Sequence, residues 1–379
     1  MAEAPEICGS CDARFAEVKR AFASNFEDGL EIGASFAATV DGRFVVDLWA
    51  GHADQARLRP WERDTIVNVF STTKAMTALC ALILVDRGEL DLDAPVARYW
   101  PEFAQAGKDA LPVRYLLSHT SGLAGFAEPL PAEALYDWDR IVRLLASQAP
   151  MWEPGAQSGY HALSFGHLLG EVVRRLTGRT LGTFFREEVA EPLGADFHIG
   201  LAEEHEPRVG EIIPPETVDL AAEVYSGPLA AKVQGNPLVA GSIANQRAWR
   251  TAEIPAANGQ GNARSVARVS AAMACGGELD GVHLLTPATL EKTIEEQCYG
   301  KDLVLGLPIR WGLGFGLTSK EIPLGPNPRA FFWGGWGGSL VVIDLDARLS
   351  FSYVMNKMGS GAVGHARAFR PAAALYGSL

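Results

Sequence analysis

Two stretches of apolar and β-branched residues, one near each end of the chain, limit the fold more than any other feature. Residues 34–49 form two short apolar runs around Asp41-Gly42. Asp-Gly between such runs is a strong hairpin signal, because both residues tolerate the positive φ of a tight turn. The pattern returns at the other end. Ser339–Asp344 and Leu349–Met355 read as strands around a turn at Asp346-Ala347-Arg348. Helical periodicity accompanies each pair, over residues 12–28 and over Ala362–Leu375. Between them lie predicted helices at Thr72–Arg87, Trp138–Ser147, Ser164–Thr177 and Leu181–Val189, separated by loops such as Trp152-Glu153-Pro154-Gly155. This arrangement implies an α/β (α+β) fold. The two chain ends meet in one antiparallel sheet flanked by helices, and a mostly helical domain is inserted between them. The expected division is residues 1–75 and 205–379 for the sheet domain and 76–204 for the helical one, with the active site between them. Residues 201–262 are poorly periodic and too long for a simple connection, so they are expected to cover a site.

Charge and composition exclude other classes. The chain has 33 basic and 45 acidic residues, a net charge of −12. That balance lacks the basic footprint of a nucleic-acid binder or of a protein that binds anionic membranes. The longest apolar stretch, Ala75–Val85, falls well short of the ~18 residues that span a bilayer. The segment MAEAPEICGSCDARF has acids where a signal peptide carries basic and apolar residues. A cytoplasmic location is therefore expected. Five cysteines make no disulfide framework, and Cys8 and Cys11 form a lone CxxC without a second ligand pair. The eight histidines show no metal spacing, and no glycine-rich phosphate loop is present. Neither a metal nor a cofactor is expected. The absence of Gly-x-Ser-x-Gly argues against a nucleophile elbow of the α/β-hydrolase kind.

One segment carries chemistry. Residues 65–85 read TIVNVFSTTKAMTALCALILV, an apolar run followed by a helix that starts at Ser71. Ser71 and Lys74 are i and i+3 and share one helix face. A nucleophilic serine needs a base, and a lysine whose pKa is lowered by burial can serve. The helix start also offers amides to an oxyanion. The spacing alone is weak. With 19 Ser and 8 Lys in 379 residues, chance supplies about 0.4 such matches. On the residues alone, Ser71 as a helix cap and Lys74 as a surface residue remains open. The apolar flanks favour a buried lysine with a partner.

The segments FSTTKAMTALCALILVDRGELDLDAPVARYWPEF, VRYLLSHTSGL, PGAQSGYHALSFGHLLGEVVRRLTGRTLGTFF and FFWGGWGGSLVVIDLDARLSFSYVMNKM together resemble the serine β-lactamase-like family. That family includes class C β-lactamases, D-alanyl-D-alanine carboxypeptidases and family VIII carboxylesterases. The likeness runs at intervals from about residue 30 to residue 360. It implies that Ser71 is the nucleophile, Lys74 its partner and Tyr160 the general base. The family's Tyr-x-Asn motif would here be Tyr160-His161-Ala162. Ala162 replaces an asparagine that helps to hold a β-lactam amide, so the esterases are the nearer likeness. The family's Lys-Thr-Gly motif would fall on Trp333-Gly334-Gly335. Loss of that lysine removes the cation that attracts a substrate carboxylate, and a tryptophan suits a neutral ester. In this register the backbone N–H groups of Ser71 and Trp336 form the oxyanion hole.

The resemblance implies a serine carboxylesterase that cleaves short-chain esters through an acyl-enzyme. Trp152, Tyr136 and Trp138 are expected to join Trp333, Gly334 and Gly335 in lining the substrate cleft. His119 is expected to fix a loop, and His161 and His167 to be structural. A β-lactam, a D-amino-acid peptide or an acyl acceptor is the alternative substrate on the same fold. A non-catalytic binding protein is the alternative of another class. The expected partner is a small ester, and self-association into a homo-oligomer stays open.

Overall fold

The computed structural model describes residues 5–215, 228–359 and 365–379. Nine of its described strands build one antiparallel sheet, while Val67–Asn68 with Gln260–Gly261 and Glu278–Leu279 with Val282–His283 form two separate two-stranded pairs. In chain order the nine are β1 (Cys8–Cys11), β2 (Gly33–Val40), β3 (Arg43–Gly51), β4 (Cys298–Lys301), β5 (Pro308–Trp311), β6 (Gly316–Leu317), β7 (Ala330–Gly334), β8 (Leu340–Asp344) and β9 (Leu349–Met355). In space the order is β1-β3-β2-β9-β8-β7-β6-β5-β4. The expected hairpin is β2–β3, turning at Asp41-Gly42 with φ of 49° and 76°. The chain ends join where β2 pairs with β9, Val40 opposite Leu349 and Ala34 opposite Met355.

Apolar alternation assigns each side chain to a face. Ala330, Phe332, Leu340 and Val342 share a core with Phe15, Val18, Phe22 and Leu375. Those last residues come from the N-terminal turn, from α1 (Ala16–Glu27) and from the C-terminal helix Ala366–Tyr376. Phe331, Trp333, Val341 and Ile343 point the other way, into the larger core. The central strands are covered on both faces, which explains why they read as continuous apolar runs.

Four further helices matter for the site: α2 (Thr73–Asp86), α3 (Trp138–Ser147), α4 (Ser164–Thr177) and α5 (Pro228–Gln234). They are followed by α6 (Ala263–Ala274) and α7 (Ala366–Tyr376). α6 packs on β2 and β9, opposite α1 and α7. α2 is buried from Thr73 to Leu84 on every side, against α4 and β7. A helix that is apolar all round has no other stable place than a core. The helices at Trp138–Ser147 and Ser164–Thr177 match the periodicity. The predicted helix over Leu181–Val189 is regular only to Phe185 and widens into a π turn from Arg186 to Ala190. Positions 362–364 of the predicted C-terminal helix lie outside the described residues, and the helix is regular from Ala366. Among the described residues no helix is long and apolar enough to cross a membrane.

Candidate active site

Ser71 lies in a 3-10 turn, Phe70–Thr72, that feeds directly into α2. The regular helix therefore begins two residues later than the sequence suggests. Phe70 has φ of 45°, a left-handed conformation that costs a bulky residue free energy and is held only by its surroundings. Those surroundings are explicit. Val69 N–H donates to Gly259 O at 2.9 Å, and Gly259 N–H donates to Thr73 Oγ1 at 2.9 Å. On the other side Ser339 Oγ donates to Val69 O at 2.8 Å and meets Thr72 Oγ1 at 2.9 Å. The turn is thus clamped between the 256–259 loop and the 335–339 turn that follows β7. Gly335 is required by that approach. A Cβ there would sit 2.1 Å from Ser339 Oγ and 2.3 Å from Val69 O.

Two side chains converge on Ser71 Oγ. Tyr160 donates its phenolic hydrogen to Ser71 Oγ at 2.6 Å. Lys74 Nζ lies 3.0 Å from the same oxygen and donates to the carbonyls of Ala162 and Ala256, both at 2.8 Å. Lys74 is fully buried, which excludes the surface-residue alternative. Burial holds its pKa well below the ordinary lysine range. The faces of Tyr160 and Trp333 lie 4.8 and 5.7 Å from Nζ and would favour a cation. That attraction is worth about 2 kcal/mol when desolvated, less than the cost of burying a charge with no carboxylate beside it. Lys108 is a useful contrast. Its Nζ meets three carbonyls, of Gln105, Ala146 and Gln148, and no hydroxyl. It ties loops together.

Tyr160 is placed by its backbone. Its N–H donates to Asp302 Oδ1 at 2.9 Å, and that oxygen also accepts from Val304 and Leu305 N–H. His119 Nδ1 accepts the next amide, from His161, at 3.1 Å. His161 Nδ1–H donates to Gly159 O at 2.7 Å, so its Nε2 accepts from Ser121 at 2.6 Å. Burial holds His161 down to about 3, and His119 is also pushed well down. Both rings are therefore neutral supports of the tyrosine loop. His167 stacks on Trp138 and is pushed down to about 4 by burial.

Above Ser71 opens a cleft of about 440 Å³. Phe70, Ala162, Leu163 and Trp336 form one side, and Val233, Pro237, Leu238 and Val239 form the other. Trp249 and Ala257 also line it, and no charged side chain does among the described residues. Trp336 packs edge-on against Phe70, 5.3 Å between ring centres. The other aromatic residues expected in the cleft lie elsewhere. Trp333 is buried behind Tyr160, against His119 and Trp311, with its Nε1–H donating to Gly314 O. Gly334 borders a small void of about 20 Å³ on that same inner side, and Gly335 is packed against the Ser71 turn. Trp152 donates to Gln157 O and covers Gly159. Trp138 donates to the buried Glu171, and Tyr136 packs at the edge of the large core. The far wall of the cleft, residues 231–239, belongs to the segment expected to cover a site, although no residue of it stood out. The carbonyls of Ala162 and Ala256 and the carboxylate of Asp302 carry no sequence signature. Among the described residues no cluster of His, Cys, Asp and Glu could hold a metal, and all five cysteines are free.

A serine clamped in a strained turn, touched by a phenol and a buried amine at the floor of an apolar cleft, fits a hydrolase. The chain belongs to the Beta-lactamase family, whose model matches residues 22–375. It is a hydrolase of the esterase/β-lactamase fold. Esterase/beta-lactamase LipL of Mycobacterium tuberculosis is 37% identical over 365 residues, 93% of this chain and 83% of the relative. The crystal structure of a family VIII carboxylesterase superposes with a TM-score of 0.93 at 45% identity, over 99% of this chain and all of the other. A penicillin-binding protein homologue from Caulobacter crescentus also superposes with a TM-score of 0.93, at 42% identity and the same coverage.

Proposed function

We propose that the protein is a serine carboxylesterase that cleaves short-chain, uncharged esters through an acyl-enzyme on Ser71. The observation that carries this reading is the contact of Ser71 Oγ with both Tyr160 and the buried Lys74. A neutral amine has two hydrogens and one lone pair. The two carbonyls of Ala162 and Ala256 take the hydrogens, which leaves the lone pair for the Ser71 hydroxyl. In the proposed reaction Ser71 Oγ attacks the ester carbonyl. Its proton passes to the Lys74–Tyr160 pair, and Tyr160 delivers a proton to the departing alkoxide. The N–H groups of Ser71 and Trp336 hold the oxyanion, and water then repeats the sequence to release the acid. The active site lies between the sheet domain of residues 1–75 and 205–379 and the helical domain of residues 76–204.

The substrate reading rests on the cleft. Among the described residues it offers a carboxylate no cation, and it offers an apolar ester extensive contact. The relatives' names, an esterase/beta-lactamase and a family VIII carboxylesterase, support the same class. The test is intact mass spectrometry after treatment with a p-nitrophenyl phosphonate, with p-nitrophenyl butyrate hydrolysis run in parallel. One adduct on Ser71 with matching loss of activity is expected, and Ser71→Ala should lose several orders of magnitude in rate. An adduct elsewhere, or turnover retained in that variant, would overturn the assignment.

A further inference from the structure

A buried ion pair adjoins the turn that follows β7. Arg367, in the first turn of α7, and Glu31, between α1 and β2, are both shielded from solvent, with Arg367 Nη1 2.9 Å from Glu31 Oε1. Such a pair gives little net stability over apolar residues of the same volume. This one fixes geometry. Nη1 also donates to Lys357 O at 2.9 Å and Leu30 O at 3.2 Å, and Nε donates to His365 Nδ1 at 3.1 Å. Nη2 donates to Gly337 O at 2.8 Å, and Gly359 N–H is a second donor to that oxygen, also at 2.8 Å. From there two peptide planes lead to Trp336 N–H. The plane that carries Gly337 C=O at one end carries Gly338 N–H at the other, and that N–H donates to Gly335 O at 3.0 Å. The plane that carries Gly335 C=O has Trp336 N–H at its opposite end. Gly337 and Gly338, with φ of 92° and 123°, have no side chain to restrict either plane, so hydrogen bonds must hold them. Each donation also polarises the next, so the guanidinium charge strengthens the last N–H as a donor.

We propose that Arg367, held by Glu31, is a positioning residue that orients and polarises the Trp336 N–H of the oxyanion hole. The inference rests on the esterase reading above and deepens it. Both halves of that reaction pass through an oxyanion, first when Ser71 attacks the ester and again when water attacks the acyl-enzyme. A misplaced Trp336 N–H therefore slows both halves together, while ester binding in the apolar cleft stays as it was. Loss of a whole oxyanion donor costs about 10²–10³ in kcat. A donor that is displaced rather than deleted keeps part of that effect, so the expected loss is about tenfold to a hundredfold.

The test uses two variants. Arg367→Lys keeps a cation beside Glu31 but lacks the fork whose second nitrogen reaches Gly337 O. Glu31→Leu combined with Arg367→Met removes both charges, which avoids leaving either one buried and unpaired. Each is compared with wild type for p-nitrophenyl butyrate hydrolysis and for the rate at which a p-nitrophenyl phosphonate modifies Ser71, with near-UV circular dichroism as the check on the fold. In a folded variant kcat should fall about tenfold to a hundredfold while KM stays within about twofold. Phosphonylation should slow in proportion to kcat, because its transition state also places charge on an oxygen in the hole. Unchanged kcat in either folded variant overturns the proposal. A KM that rises as much as kcat falls overturns it as well, since that marks distortion of the whole cleft. Failure of both variants to fold assigns the pair to the scaffold and also overturns it. A wild-type protein with no phosphonate adduct on Ser71 would instead remove the esterase reading, so the two failures are distinguishable.

Discussion

Lys74 should leave a signature in stability as well as in rate. A lysine in the unfolded chain has a pKa of about 10.4 and is charged at neutral pH. In the fold burial disfavours the cation, and Nζ is held among Ser71 Oγ and the carbonyls of Ala162 and Ala256. Wherever the unfolded chain holds this proton and the folded protein does not, stability must rise with pH. The slope is about 1.4 kcal/mol per pH unit. Between pH 7.5 and 9 the gain is at most about 2 kcal/mol, reached if the folded amine is uncharged throughout. Other groups titrate in the same range, so the quantity to measure is a difference. Urea unfolding of wild type and of Lys74→Met, each at both pH values, gives it. The variant leaves the carbonyls of Ala162 and Ala256 without a partner, but that cost does not depend on pH and cancels. Wild type should gain on the variant over the interval, by up to about 2 kcal/mol. If the difference between the two proteins stays constant within about 0.5 kcal/mol, the folded lysine carries its charge at neutral pH. The proton path drawn for Ser71 would then be wrong.

Two further substitutions probe the frame of the site. Gly335→Ala places a methyl group against Val69 O and Ser339 Oγ. It should cost about 1–3 kcal/mol in chemical unfolding and lower kcat at least tenfold, because the displaced backbone carries Ser71. A variant with unchanged kcat would refute the close approach. Asn236→Ala removes three hydrogen bonds that hold the cleft wall. It should raise KM for p-nitrophenyl butyrate more than it lowers kcat, and a kcat effect alone would contradict the assigned position.

Much of the scaffold can be read from the chain because its signals are local. Asp41-Gly42 turns the hairpin it announces. The limits of Trp138–Ser147 and Ser164–Thr177 follow from apolar spacing. Trp333 shows where such reading stops. Alternation along β7 says that it points away from Phe332, yet not whether that face meets solvent, a cleft or a core. It meets the core behind Tyr160, so the aromatic lining comes from Phe70, Trp249 and Trp336 instead. The opposite wall is harder still. Gln234 and Leu238 have no period and no motif, and they reach the cleft only because Asn236 is tied to residues about a hundred positions earlier. Main-chain acceptors such as Ala256 O are invisible to any reading of residue type.

The pairing of β2 with β9 also governs how the protein is made. Val40 must wait for Leu349 and Ala34 for Met355. At about 5–20 residues per second, roughly 15–60 s of synthesis separate the two strands. Throughout that interval the early hairpin has one unpaired edge, and α2, already translated, lacks the strand that backs it. The Ser71 turn cannot close until Ser339 arrives. Activity should therefore appear late and all at once on the ribosome, and the waiting edge is where a chaperone would have most to protect.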